Sequence, residues 1–340
     1  MDYGAIDLHT KHSEIRIVSE AGDVVVARRI ETRPAALTRV FGDRARLRVL
    51  LEAGTESEWV AQHLEGCGHE VIVADPNYLP MYGTARRVKT DRRDVAALAE
   101  ANRLGHFRAA YRVSAAQRQM RQRLQVRRTL VQMRTQLINT LRTQVRSAGF
   151  RVPSGEAETF VTRLGQVALP EPLATVVAPL VTLLEQLAAP IAELDEAMTV
   201  AAQADPVTVR LMSMPGVGPI TALQVRATLD DVTRFAGAAQ VAAYVGLVPR
   251  ERSSGERPRQ GHITKAGPSE TRAMLVQAAW ALWRTRGGPG RALHDWMHRL
   301  ADRRGKRIAV VAGARRIVRI LFAMWRDGED FHGAAVTSAA

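Results

Sequence analysis

Ala5-Ile6-Asp7-Leu8-His9 places a carboxylate between two aliphatic residues in what reads as a first β-strand. An acid in such a setting is costly unless it has a partner or a task. Working outward, residues 3–9, 14–19 and 24–30 read as three strands, the last two joined by a turn at Ala21-Gly22-Asp23. Residues 34–41 read as a helix, and the continuous apolar run 47–51 as a buried strand. A helix over 57–65, a buried strand over 71–74 and a helix over 91–104, with Thr90 as N-cap, complete the series. The order βββ-α-β-α-β-α is that of a ribonuclease-H-like fold, a mixed sheet with helices on both faces. Other α/β folds share parts of this order.

The whole chain has 340 residues and a formal net charge of +14, with a pI of about 11.0. A balance this basic points to a polyanion, most simply nucleic acid. Lys11, Lys89, Lys265 and Lys306 are the only lysines, so the positive charge is arginine. Arginine forks fit phosphates bidentately; a GC-rich coding bias would also favour arginine over lysine, without explaining the net charge. The single cysteine, Cys67, excludes a disulfide framework or a Cys-based zinc site. No continuous apolar run reaches the ~18 residues of a membrane span. The expectation is a soluble cytoplasmic protein with no membrane partner.

Residues 101–155 hold twelve arginines and no Asp or Glu. Leu124, Val131, Ile138 and Val145 recur every seven residues, widened by Leu130, Leu137 and Leu141. The spacing predicts one long helix with an apolar seam and a basic remainder. After a stretch broken by Pro153, Pro170 and Pro172, a second helix carries Leu180, Leu184, Leu187, Ile191, Leu194 and Met198 on one face. The two seams fit either an antiparallel hairpin or a contact between two copies. From about residue 205 onward the chain reads as helical with Gly/Pro breaks, ending in a basic amphipathic stretch over 303–325 and a frayed tail from Asp327.

Asp7, Glu52, Asp91 and Asp94 form the candidate acidic set. Glu52 ends the strand run Val49-Leu50-Leu51-Glu52, and Lys89-Thr90-Asp91-Arg92-Arg93-Asp94 opens a helix with its two acids three residues apart, on one face. In a ribonuclease-H-like sheet the first and fourth strands are neighbours, which brings Asp7 beside Glu52. Four converging carboxylates repel one another unless divalent cations neutralise them, and hard oxygen ligands select Mg²⁺ or Mn²⁺. Taken singly, each acid is also explained as a helix-start or strand-end residue. His9, His12, His63 and His69 flank these motifs and fit surface or core packing better than metal ligation. Trp280, Trp283 and Trp296 fit core positions better than base-stacking platforms.

In the C-terminal half, Pro215-Gly216-Val217-Gly218 reads as a tight turn between helices, resembling a helix-hairpin-helix DNA-binding element. Its glycines would let backbone N–H groups approach a phosphate. The other reading is a plain αα-hairpin without a ligand. Between Tyr244 and Gly267 lies a polar loop rich in Gly and Arg. Composition alone favours a solvated loop there.

Ala-Ile-Asp-Leu-His (5–9), Leu-Leu-Glu-Ala-Gly (50–54) and Lys-Thr-Asp-Arg-Arg-Asp (89–94) resemble the DEDD-type insertion-sequence transposases. So do Gly-Leu-Val-Pro-Arg (246–250), Ser-Ser-Gly (253–255) and Gly-His-Ile-Thr-Lys-Ala-Gly (261–267). This family is related to pilin-gene DNA invertases and, in its nuclease-like half, to RuvC resolvases. The resemblance spans about residues 3–325. It implies a metal-binding tetrad of Asp7, Glu52, Asp91 and Asp94, and a nucleophile at Ser254, with Ser253 second. It further implies a composite site from two domains or two subunits, a dimer or tetramer, donor and target DNA as substrates, and an element-encoded bridge RNA as guide. The expected organisation is a RuvC-like domain over 1–110, a helical hairpin over 111–204, a mainly helical serine-bearing domain over 205–328 and a flexible tail over 329–340. Expected nucleic-acid contacts are Pro215, Gly216, Val217 and Gly218, then Arg250, Arg252, Arg257, Arg259 and Lys265, and on the long helix Arg121, Arg127, Arg128 and Arg134. Two rival functions stand beside this one: a RuvC-like nuclease that hydrolyses branched DNA with water, and a non-catalytic DNA- or RNA-binding protein.

Overall fold

The computed structural model describes residues 1–79, 90–251, 260–285 and 287–333. They form two compact units, Met1–Arg112 and Val113–Ala340.

The first unit is built on a five-stranded mixed sheet of order β3-β2-β1-β4-β5, compatible with a ribonuclease-H-like domain. Its strands are β1 (Tyr3–Asp7), β2 (His12–Val18), β3 (Val24–Glu31), β4 (Arg48–Glu52) and β5 (Glu70–Ala74). β1 pairs antiparallel with β2 and parallel with β4, so the first and fourth strands are neighbours as the sequence predicts. Helices α1 (Pro34–Phe41) and α2 (Ser57–Gly66) pack on one face through Leu37, Phe41, Val60 and Leu64, against Ile6, Val49 and Leu51. Helix α3 (Asp91–Leu104) packs on the other through Val95, Leu98 and Ala99, against Ala5 and Leu50. Successive strand residues point to opposite faces. A strand covered on both sides therefore has to be apolar throughout, which is why 49–51 is an unbroken aliphatic run.

Thr90 stands at the N-cap of α3, but its side chain makes no capping bond there. A later residue of the helix pins it to the sheet. Asn102 is fully buried, and its Nδ2 donates to the carbonyls of Gly4 (2.8 Å) and Arg48 (2.9 Å), at the starts of β1 and β4. On the outer side of β5, Ala74 bridges to Ala109, and Arg112 clamps Glu58 and Glu65 of α2. The hydrogen bonds it donates, to Glu65 first and Glu58 second, raise the Arg112 guanidinium well above its ordinary pKa.

The second unit begins with the long helix α4 (Ala115–Ser147). Ser114 caps it and is itself held by Asp230, whose carboxylate accepts from the Ser114 amide and hydroxyl, each at 2.7 Å. After α5 (Phe160–Gly165) the chain returns along α4 as α6 (Glu171–Gln186) and α7 (Ala188–Ala204). Ile138, Leu141 and Val145 meet Val177 and Leu184, while Leu124 meets Met198 and Ala202. The seams therefore close an antiparallel pair. The returning helix, expected as one, is interrupted at Leu187. Pro190 lacks the N–H for the Gln186 carbonyl, and its ring crowds that oxygen. By length and composition alone Glu171–Ala204 is apolar enough to cross a membrane, although, as the sequence predicts, it contains no continuous apolar run of that length.

The rest of the unit packs α8 (Pro206–Met212), α9 (Pro219–Leu229), α10 (Ala238–Tyr244), α11 (Ser269–Arg284), α12 (Arg291–Arg304) and α13 (Lys306–Asp327) round one core. Leu223 and Ala227 of α9 join the cluster that holds Leu124 and Met198, so the helical arm and this core share a unit. The basic stretch over 303–325 is broken at Gly305, which caps α13. The chain after Asp327 is anchored by Phe331, which is buried in the core and donates its amide to Ser213 Oγ (2.8 Å). The polar loop between α10 and α11 contains an antiparallel ribbon, β6 (Pro249–Glu251) with β7 (Gln260–Ile263), which sequence reading missed.

Candidate functional site

Strand parity decides where the acids point. Ala5 and Leu50 face α3. Asp7 and Glu52 lie two residues further along their strands, so they share that face, at the C-terminal ends of parallel neighbours. The bonds from Asn102 to the opposite strand ends set α3 antiparallel to β1 and β4, and its first turn, with Asp91 and Asp94, comes to the same edge. The electrostatics agree: the Asp7 carboxyl is raised above its ordinary pKa, chiefly by burial, and Asp91, Asp94 and Glu52 each push it further up while His9 pulls it down. Glu52, Asp91 and Asp94 therefore all lie within electrostatic reach of Asp7.

His9, assigned above to packing, belongs to this group. Its Nε2 lies 3.5 Å from Asp7 Oδ2 and 3.7 Å from Asp91 Oδ1, and one ligand atom from each of the three residues lies within 4.8 Å of the other two. Two carboxylate oxygens and an imidazole nitrogen at this spacing fit a divalent cation, and the charge crowding at Asp7 is what such an ion would relieve. The signal available in the sequence was the spacing of two from Asp7, which puts both side chains on one face of an extended segment. Glu14 also went unnoticed: it stands opposite Asp7 in register, buried, with Arg29 Nε at 3.9 Å. His69 is structural, bonding Phe41 O through Nε2 (2.9 Å), and His63 Nε2 meets Thr38 Oγ1 at 2.9 Å.

In the second unit the Pro215–Gly218 turn links α8 to α9, and the two glycines differ. Gly216 (φ 87°) lies against α11, where a Cβ would meet the Ala278 carbonyl at 2.6 Å. Its need for glycine is therefore met by packing between helices. Gly218 opens α9 with free space on its Cα, and Val217 is buried.

Gly246 and Gly267 explain the motifs at either end of the ribbon. A Cβ on Gly246 would sit 2.2 Å from Ala266 O, and one on Gly267 would sit 2.1 Å from Tyr244 O, with both residues at positive φ. The backbones before β6 and after β7 touch there, and only glycine permits it. This contact sets the base of the ribbon that flanks residues 252–259. Ser253, Ser254, Arg252, Arg257 and Arg259 lie outside the described residues, as does Lys89. Arg250 is exposed and donates to Thr264 O (3.1 Å), and Lys265 is exposed with φ 56°.

The expected phosphate contacts on α4 have partners within the fold. Arg121 donates to the carbonyls of Ala227 (2.8 Å) and Thr228 (3.0 Å). Arg127 pairs with Asp195, Arg128 with Glu270, and Arg134 with Glu158. Composition showed a basic helix, but partners distant in sequence occupy these guanidiniums.

Comparison with known proteins agrees with both halves. A family model for DEDD transposases of IS110 type, described as "Transposase", matches residues 5–149, and one described as "Transposase IS116/IS110/IS902 family" matches residues 209–295. The chain is similar to a probable family 20 transposase of Pseudomonas aeruginosa, 31% identical over 81% of this chain and 83% of that protein. It is similar to the transposase for insertion sequence element IS1111A of Coxiella burnetii, 29% identical over 94% and 88%. The transposase for IS1328 of Yersinia enterocolitica is 24% identical over 96% and 97%.

Proposed function

The chain belongs to the IS116/IS110/IS902 family of transposases, enzymes that cut and rejoin DNA, and we propose that it does so with an acidic metal site and a serine nucleophile. Asp7, Glu52, Asp91 and Asp94 would hold Mg²⁺, or Mn²⁺, with His9 beside them. A divalent ion held by these residues would supply Lewis-acid chemistry, polarising a phosphate oxygen and offsetting charge on the leaving oxygen. Burial keeps the Asp7 carboxylate poorly hydrated and so strengthens its hold on a cation.

Ser254 is the nucleophile in this reading. Its Oγ gives up a proton and bonds to a DNA phosphorus, the P–O bond to the 3′-oxygen breaks, and that oxygen takes up a proton. The products are a 5′-phosphoserine and a free 3′-hydroxyl. Attack by the 3′-hydroxyl of another strand reverses the step and returns the serine. Arg250 and Lys265, exposed at the base of the ribbon, supply positive charge near the transferring phosphoryl group. Residues 1–110 act as the nuclease-like part, 111–204 as a helical arm and 205–328 as the serine-bearing part. The enzyme works as a dimer or tetramer on donor and target DNA, with a bridge RNA choosing the sites by pairing.

The observation that carries this reading is the convergence of three carboxylates, Glu52 from β4 and Asp91 and Asp94 from α3, on a half-buried Asp7. The test is recombination of a plasmid bearing the element's ends and flanks, with and without its non-coding region. Recombination should require that region, and a denatured protein–DNA adduct should be trapped with wild type and lost with Ser254→Ala. Full strand cleavage by Ser254→Ala would favour the hydrolytic RuvC-like alternative. Unchanged function in Asp7→Asn would favour a non-catalytic binding protein.

A further inference from the structure

Beside α4, where α9, the end of α10 and the start of α11 meet it, the second unit encloses a cavity of about 360 Å³. None of the four acids lines it. Its size falls near the lower end for small-molecule sites, roughly 300–1,000 Å³. That suits one nucleotide and excludes a duplex.

The lining has three chemistries. The first is charge. Arg127 and Arg128 are matched by Asp195 and Glu270. Glu270 stays ionised, its carboxyl lowered below the ordinary pKa first by its own backbone amide and then by Arg128 and Ser269. Arg121 binds only backbone carbonyls, with two of its nitrogens, and has no carboxylate partner among the described residues. One uncompensated guanidinium at the wall matches one phosphate. The second is apolar surface: Leu124, Val131, Ile220 and Met274 line the cavity together with Tyr244, which is 36% exposed. The Tyr244 ring is braced edge-on by Phe235 at 5.3 Å and covered by Arg234 at 4.8 Å. The third is a set of amides. Gln125 and Gln132 are exposed, and no side-chain hydrogen bond engages either among the described residues. Gln224 uses its Nε2 on Thr271 Oγ1 (3.0 Å) and Thr228 Oγ1 (3.3 Å), which leaves its oxygen as an acceptor.

A single anionic group, a flat heteroaromatic body and polar edges that need both donors and acceptors describe a nucleotide. We propose that this cavity receives one unstacked nucleotide of a DNA or RNA strand, with its phosphate on Arg121, its base against Tyr244 and the aliphatic wall, and its edge read by Gln125 and Gln132. Glutamine pairs bidentately with adenine, so adenine is the expected base. Stacking of a base on an aromatic ring contributes on the order of 1–3 kcal/mol. The proposal rests on the nucleic-acid reading of the chain, but its test does not require recombination.

The test follows the methyl signal of Met274 by NMR in the full-length protein carrying ¹³C-methyl methionine, the signal being assigned through Met274→Leu. dAMP and AMP should each move it saturably, and inorganic phosphate at the same concentration should not. A preference for dAMP would place DNA in the cavity, and a preference for AMP would place RNA there. The double variant Gln125→Ala, Gln132→Ala should keep its melting temperature and lose about tenfold in affinity, as expected for two uncharged hydrogen bonds. Absence of any shift up to about 10 mM nucleotide, or a shift reproduced in full by phosphate, overturns the proposal. Recombination activity that persists alongside that negative result would leave the transposase mechanism standing without the cavity.

Discussion

Replacing Asn102 tests the link between fold and site most directly. Its Nδ2 satisfies two buried carbonyls, one on β1 and one on β4, while its Oδ1 is itself buried without a partner. Asn102→Leu keeps the branched outline and removes both donors. A buried polar group left unpaired costs about 1–3 kcal/mol, so two cost roughly 2–6; losing the orphaned Oδ1 returns about 1. The net expectation is about 3 kcal/mol, or a loss of roughly 100–200-fold in protection of the amides in β1 and β4. Hydrogen exchange read by mass spectrometry on peptides covering residues 3–7 and 48–52 measures this directly. It also avoids treating a two-unit chain as one cooperative transition. Asn102→Asp should be worse, since it turns two donors into acceptors facing carbonyls. Because the same helix carries Asp91 and Asp94, both variants should also weaken Mn²⁺ binding. Protection within about tenfold of wild type in Asn102→Leu would refute the claim that this side chain locks α3 to the sheet.

Gly246→Ala should destabilise the C-terminal unit by about 3–5 kcal/mol, from positive φ and from overlap with Ala266, and should abolish recombination; a soluble, fully active variant would contradict the close approach. Arg112→Ala should cost about 1–2 kcal/mol, discounted for partial exposure, seen as faster exchange in α2 and β5 but not in α9. Asp7 has a raised carboxyl pKa in the folded protein, so it stabilises the metal-free fold below the unfolded value of about 3.9, and that contribution is lost as pH rises through the folded value. In EDTA, Asp7→Asn should therefore melt higher than wild type at pH 7.5, the gap closing at low pH, while added Mn²⁺ stabilises wild type alone; a wild type that melts higher in EDTA at pH 7.5 would count against crowding at this site. DNA binding should weaken steeply with salt, and Lys265→Ala should lower the slope of log affinity against log salt by about 1; an unchanged slope would remove Lys265 from the phosphate contacts.

The sheet, its flanking helices and the four acids were legible because their signals are local. An unbroken aliphatic run means a strand buried on both faces, and helix α3 begins where Thr90-Asp91 says it should. The ribbon β6–β7 was not legible, since Pro249, Arg250 and Glu251 show no alternation and their pairing depends on two glycines on opposite sides of it. Asn102 could have been flagged, because it lies on the same helical stripe as Val95 and Leu98, where an amide is out of place.

The sequence by itself determined the kinds of element, the faces they bury and the candidate chemistry, because side-chain periodicity and charge are properties of neighbouring residues. Only the tertiary structure decided who meets whom. It brought His9 to Asp91, tied Arg121, Arg127, Arg128 and Arg134 to partners inside the fold, and closed two apolar seams on each other. Such pairings follow from how distant segments pack, and no local pattern encodes the partner.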